Sequence, residues 1–222
     1  MNTKLTTIYL VRHGQSEANA KKDGGSNLKY GDLGAPLSEK GFNQALRLKE
    51  HLKHINFDAV FSSDLLRTKQ TAEIITAEQK LLVKTSSAIR EREASKYIKT
   101  QPGLTKDKLL TQLREALKDL TEKEKTQYKH TPEMESPEEA ASRIITFLRE
   151  IAVAYSGKTI LVTNHGNVMR SLMTHLGWAK FDELPSNSIE NTGYVVLESD
   201  GIDFFIKETS GINKQQGKVR DW

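Results

Sequence analysis

Two histidines, two arginines and a glutamate stand where they could do chemistry together, because each follows a segment that reads as a β-strand. Arg12-His13-Gly14 follows Leu5 to Val11, an apolar and β-branched run. Arg67 falls in the first turns of a helix behind a short strand, Asp58 to Ser62. Arg90-Glu91-Arg92 comes after a third strand, Leu81 to Thr85, and His165-Gly166 after a fourth, Thr159 to Thr163. Parallel strands open their C-terminal ends on one edge of a sheet, and ligands bind there. The spacing therefore predicts that these five side chains converge on a single crevice. Imidazoles can attack, guanidiniums grip anions, and a carboxyl can move a proton. Singly, each has an ordinary structural use. A strand-end glycine is usually a turn, Arg67 a helix-surface charge, Glu91 a solvated acid, and a histidine after a strand a satisfied core residue. Their common edge is what favours chemistry.

The positioning elements follow from the same pattern. Strand and helix signals alternate, which predicts an α/β fold with a largely parallel sheet. Ser38 can cap a helix to Lys53, with Phe42, Ala45, Leu46 and Leu52 near one face. Leu65 to Ala77 reads as a second helix, with Leu65, Ala72 and Ile75 on one side. Ser136-Pro137-Glu138-Glu139 combines a cap, a proline at the first helical position and a capping box; that helix should reach about Tyr155 and end at Gly157. Val168, Met169, Leu172, Met173 and Leu176 give the helix after His165 an apolar face. Tyr194–Leu197 and Asp203–Ile206 suggest a hairpin around Asp200-Gly201.

The middle is different. Arg90 to Lys129 carries 11 Lys/Arg against 7 Asp/Glu. Within it Leu109, Leu110, Leu113, Leu117 and Leu120 keep helical spacing. This predicts one amphipathic helix on an insertion over about 96–130, either covering a site or packed as a surface helix by its leucine face. Tyr128 to Glu135 reads as a loop, and a polar tail begins near 214. With no repeat and no linker, residues 1–222 read as a single domain.

Composition bounds the function. Hydrophobic residues are 36% and charged residues 28%, the balance of a soluble globular chain. The net charge of +4 suits an anionic substrate, though solubility alone accounts for it as well. The absence of cysteine excludes disulfides and thiolate metal sites. No signal pattern and no apolar run approaching the ~20 residues of a membrane span are present, so the expectation is cytoplasmic, with no membrane partner. Nucleic acid would need a basic face with aromatic interleaving, and the middle segment mixes both signs with only Tyr97 and Tyr128. Nothing indicates an oligomeric state.

The ordered motifs also resemble a family. Leu10-Val11-Arg12-His13-Gly14-Gln15-Ser16-Glu17-Ala18-Asn19 is similar to the signature of the histidine phosphatase superfamily, in its phosphoglycerate-mutase-like branch 1. Pro36-Leu37-Ser38 with Gly41 and Gln44-Ala45, Ser62-Ser63 with Arg67 and Gln70-Thr71-Ala72, Ile89-Arg90-Glu91, Glu135-Ser136 and Val162-Thr163-Asn164-His165-Gly166 follow in the family's order. The likeness covers roughly residues 5 to 200. It implies a three-layer αβα sandwich with a helical insertion and a phosphatase acting on a small phosphorylated substrate, with no cofactor and no metal.

The resemblance implies the roles as well. His13 is the nucleophile that becomes phosphohistidine. Arg12, Arg67, His165, Gly166 and Asn19 bind the phosphoryl oxygens, and Glu91 is the proton donor and later the base, with Glu93 as fallback. The residue types suit the work. Phosphoryl transfer is catalysed largely by positioning and electrostatics. Nearby arginines should keep His13 neutral, and Gly14 should let the backbone pass close to the ligand. Lys21 and Lys22 are either contacts for a second anionic group or solvated lysines. The mutases of the family carry an E-R-H-Y-G run where this chain has Glu91-Arg92-Glu93-Ala94-Ser95. Phosphatase is therefore favoured over mutase, and a phosphate-binding regulatory domain without turnover is the remaining alternative.

Overall fold

The computed structural model describes residues 4–20, 34–92, 104 and 106–215. Lys21, Lys22, Glu93, Tyr97 and the end of the polar tail lie outside the described residues.

Six strands form one sheet: β1 (Thr6–Arg12), β2 (Ala59–Ser63), β3 (Val83–Ser86), β4 (Thr159–Asn164), β5 (Ile189–Ser199) and β6 (Phe204–Ile212), in the order β3-β2-β4-β1-β5-β6. The first four run parallel, and β5 and β6 are antiparallel. The helices are α1 (Glu39–Leu52), α2 (Leu66–Ile75), α3 (Lys106–Leu117), α4 (Glu122–Gln127), α5 (Pro137–Ala154) and α6 (Gly166–His175).

Alternation along the strands makes the three layers. Ile8, Leu10, Ile160, Val162, Val195 and Leu197 point to one face and pack with α5 and α6 through Ile144, Leu148, Met169 and Leu172. Val11, Val60, Leu161 and Val196 point to the other and meet Leu48, Leu52, Ala72 and Ile75 of α1 and α2. A strand clothed on both faces must be apolar throughout, which is why β1 and β4 read as continuous apolar runs.

Register decides what reaches the sheet edge. Val11 pairs with Thr163, and Thr163 with Ser62; one step on, Arg12 pairs with Asn164. His13, Ser63 and His165 therefore leave the sheet at nearly the same height.

Several expectations are corrected. In α1 the buried stripe is Gly41, Ala45, Leu48 and Leu52, while Phe42 and Leu46 are exposed. The third strand starts at Val83 and passes into a 3-10 turn, Ser87–Ile89, capped by Ser86. The hairpin strands extend well beyond the expected segments, although Asp200 and Gly201 do make the turn: Asp200 Oδ1 accepts from the Ile202 and Asp203 N–H groups, and Gly201 takes φ +94°. The single insertion helix is two helices. Leucine spacing runs on to Leu120, but α3 stops at Leu117 and a capping box between Thr121 and Glu124 starts α4. Local capping overrode the longer periodicity. The cap on α5 is as expected, with Ser136 accepting from Glu139 N–H and the Glu139 carboxylate accepting from Ser136 N–H. Arg143 of α5 grips the Glu135 carboxylate at 2.7 Å with two nitrogens and donates to the Ala88 and Arg90 carbonyls, fixing the chain that leads into Glu91.

Candidate active site

Backbone packing sets the position of His13. A β-carbon on Gly14 would lie 2.5 Å from the Gly41 carbonyl oxygen, and one on Gly41 would lie 1.9 Å from that of Gln15. Only two glycines let the loop after β1 rest on the start of α1. The contact that demands Gly14 is thus with α1, where the sequence suggested a ligand. The Gly14 N–H donates to Thr71 Oγ1 at 3.2 Å, and Asn191 Nδ2 donates to the His13 carbonyl at 3.0 Å.

The His13 ring, 3% exposed, has Nδ1 2.6 Å from the Gly14 carbonyl oxygen. A carbonyl only accepts, so Nδ1 carries the proton and Nε2 carries the lone pair. Arg67 Nε donates to that Nε2 at 3.3 Å. His165 is fully buried, with its ring centroid 5.1 Å from that of His13. Its Nδ1 sits 3.4 Å from Arg67 Nη2 and its Nε2 3.0 Å from Ser63 Oγ. A guanidinium only donates, so His165 is the opposite tautomer, with Nε2–H directed at Ser63. One buried arginine thereby orders both rings. Burial holds the His13 pKa well below its ordinary value, with Arg67 and then Arg12 adding to it. Burial is also the main cause for His165, followed by Arg67, His13, Arg12 and Arg143. The arginines favour the neutral rings as expected, but desolvation comes first.

Arg12 donates from Nη1 to the Ile189 carbonyl, and its Nε would lie 3.1 Å from a β-carbon at Gly166. Gly166 lets the Arg12 side chain pack closely against the first residue of α6. Glu91 closes the other side. Its Oε1 accepts from the Arg92 and Val168 N–H groups at 2.9 and 3.1 Å, and its Oε2 from Asn167 N and Nδ2 at 3.2 and 3.3 Å. His165 stands at the cap position of α6 without a capping bond, and the Glu91 carboxylate does that work from another part of the chain.

Arg12, His13, Asn19, Arg67, Glu91 and Gly166 all line one cleft of about 610 Å³, which His165 backs through Arg67. The site residues named from the sequence that fall among the described residues are brought to this place, Asn19 on its exposed rim, while Glu93, Lys21 and Lys22 lie outside them. Among the described residues, no group of three or more His, Asp or Glu suits a metal ion, and no helix is long and apolar enough to cross a membrane. Four residues the sequence reading left without a role hold the machinery: Ser63, Thr71, Asn167 and Asn191. Ser63 and Thr71 sat inside quoted motifs, and Asn167 directly followed one. Asn191 had no signal, since it reaches His13 only through the pairing of β5 beside β1. Two further guanidiniums on the cleft wall, Arg92 and Arg170, donate to backbone carbonyls, those of Glu135 for Arg92 and of Leu184 and Phe181 for Arg170.

The profile of the histidine phosphatase superfamily (branch 1) matches residues 8–210, more than half of the chain. The chain belongs to that family. Among curated relatives it is 30% identical to the probable phosphoglycerate mutase GpmB of Salmonella arizonae, over 79% of this chain and 79% of that one. It is 27% identical to the uncharacterized phosphatase PhoE of Bacillus subtilis, over 84% and 85% of the two chains. Among solved structures, Bacillus stearothermophilus YhfR superposes with a TM-score of 0.71 at 25% identity, covering 90% of this chain and 95% of that one.

Proposed function

We propose that this histidine phosphatase hydrolyses small phosphate monoesters through a phosphohistidine on Nε2 of His13, without a metal. The observation that carries the reading is the orientation of a buried imidazole: Nδ1 is tied to the Gly14 carbonyl, so the lone pair lies on Nε2, where it meets the Arg67 guanidinium. In the first step Nε2 attacks phosphorus, the ester P–O bond breaks, and Glu91 gives its proton to the leaving oxygen. In the second, Glu91 takes a proton from water, which attacks the phosphohistidine and releases phosphate. Arg12, Arg67, His165 and Asn19 hold the non-bridging oxygens, with the start of α6 at Gly166 behind them. Glu91 is an acceptor for four N–H donors as described, so it suits the second step directly.

The test is a panel of phosphate esters assayed with chelator present. Turnover of several esters is expected, with loss on the order of 10⁴-fold or more in His13→Ala. Full activity in that variant overturns the mechanism. Glu91→Gln should slow esters of poor leaving groups far more than those of good ones; equal slowing moves the acid elsewhere. The relatives named as mutases make phosphoryl return to a second hydroxyl the other reading, and dependence on a bisphosphorylated primer would select it.

A further inference from the structure

The leucine face of α3 is the feature the chemistry leaves unused. Leu109, Leu113 and Leu117 are spaced four apart and form one stripe, with Leu110 beside it. Leu109 is buried and the other three are half-buried, while Thr111, Gln112, Glu115 and Ala116 on the far side are exposed. Such a stripe ordinarily packs on a sheet or another helix. Here α3 shares no extended contact with any other described helix or strand. All four leucines instead line the same cleft as His13, together with Met134 and Phe181. The cleft of about 610 Å³ is far roomier than a phosphoryl group needs, since a liquid water occupies ~30 Å³. Of its charged groups, Arg92 and Arg170 donate to backbone carbonyls and Lys125 pairs with Asp182. Arg12 and Arg67 are at the phosphoryl end, and Arg114 and Lys118 are exposed on α3.

We infer that the α3 leucines form the binding wall for an apolar leaving group, so the preferred substrates of this active site are phosphate monoesters of extended alkyl or aryl alcohols. This rests on the phosphatase reading for the identity of the reacting end and deepens it by naming the body of the substrate. The ester places its phosphoryl group on His13 and lays its carbon chain along Leu113 and Leu117. A compact polyhydroxylated ester would instead leave those leucines facing water.

The experiment is a homologous series: ethyl, butyl, hexyl and octyl phosphates for turnover, and the matching non-hydrolysable alkylphosphonates for binding by calorimetry. Longer n-alkyl alcohols have nearly constant leaving-group chemistry, so the slope with length reports burial. We expect kcat/KM to rise, and phosphonate Kd to fall, about two- to fourfold per methylene until the wall is filled. Leu113→Asn and Leu117→Asn should each flatten that slope, and Leu113→Met should keep it. Leu82→Asn, at an 80% exposed leucine beside β3, is the control that keeps the slope. A flat phosphonate series in the unaltered enzyme overturns the inference, as does an unchanged slope in both asparagine variants. A steep phosphonate series without turnover of any ester supports the wall and sinks the phosphatase reading instead.

Discussion

The strand-end cradle and the α3 wall line one cleft and are built in opposite ways. In the cradle the two histidines and the glutamate are each tied to something else. His13 is held by Gly14 and Arg67, His165 by Arg67 and Ser63, and Glu91 by the first N–H groups of α6. The wall is one amphipathic helix with its apolar face on the cleft and no broad packing partner among the described helices and strands. Phosphoryl transfer needs charges and a lone pair held within fractions of an ångström, which requires burial and interlocking bonds. Recognition of a leaving group needs only area and shape, so it can sit on a separable element. The contrast teaches that chemistry and selectivity are carried by different parts of this chain and should respond to different mutations.

Arg67→Ala attacks the cradle most directly, because it removes the donor shared by both imidazoles. A loss of about 10² to 10³ in kcat/KM is expected for every ester alike. A loss confined to long-chain esters would break the distinction between the two regions. Gly41→Ala should be next, since its new methyl would fall within van der Waals contact of the Gln15 carbonyl. A stability loss of about 2–4 kcal/mol is expected in denaturant titration, with activity falling in parallel. Ser63→Ala leaves the His165 Nε2–H without its acceptor. It should cost about 1–3 kcal/mol in stability and lower kcat more than it raises KM.

Acid should test the cradle without any mutation. Both histidines have folded pKa values well below the ordinary 6.5 that the unfolded chain regains. A depressed folded pKa contributes stability that is fully present above 6.5 and is lost as pH falls below it, because the unfolded chain takes up protons the native rings refuse. Tm should therefore decline from about pH 6.5 downward, and less steeply in His165→Asn. In the same window kcat/KM, corrected for ionisation of the ester, should show no acid limb at 6.5, because free His13 stays neutral there. A limb at 6.5 that disappears in His165→Asn would show that this ring titrates at its ordinary value and overturn the expectation.

The wall should show the smallest stability effect. Leu148→Ala, at a fully buried position of α5, should cost about 2–5 kcal/mol, whereas Leu113→Ala on α3 should cost about 1 kcal/mol or less. Equal losses measured by urea unfolding would mean that α3 is part of the core.

The alternation of strand and helix and the caps at Ser38 and Ser136 were legible in the chain, because each depends on neighbours within a few residues; the glycines of the two His-Gly motifs were visible too, but the contacts that require them, Gly14 on Gly41 and Gly166 on Arg12, were not. The convergence of Arg12, His13, Arg67, Glu91 and His165 was legible too, since parallel strands bring their C-terminal ends to one edge whatever the details. Boundaries fared worse where two local signals competed, as at Leu120, where leucine period and capping box disagreed. What only the tertiary structure decided is which atom faces which. The tautomer of His165, the meeting of both rings at Arg67, the capping of α6 by Glu91 and the reach of Asn191 to the His13 carbonyl come from contacts over tens to more than a hundred residues of chain. Pairing register and layer packing set those distances to tenths of an ångström, and no periodicity in the sequence encodes a length that fine.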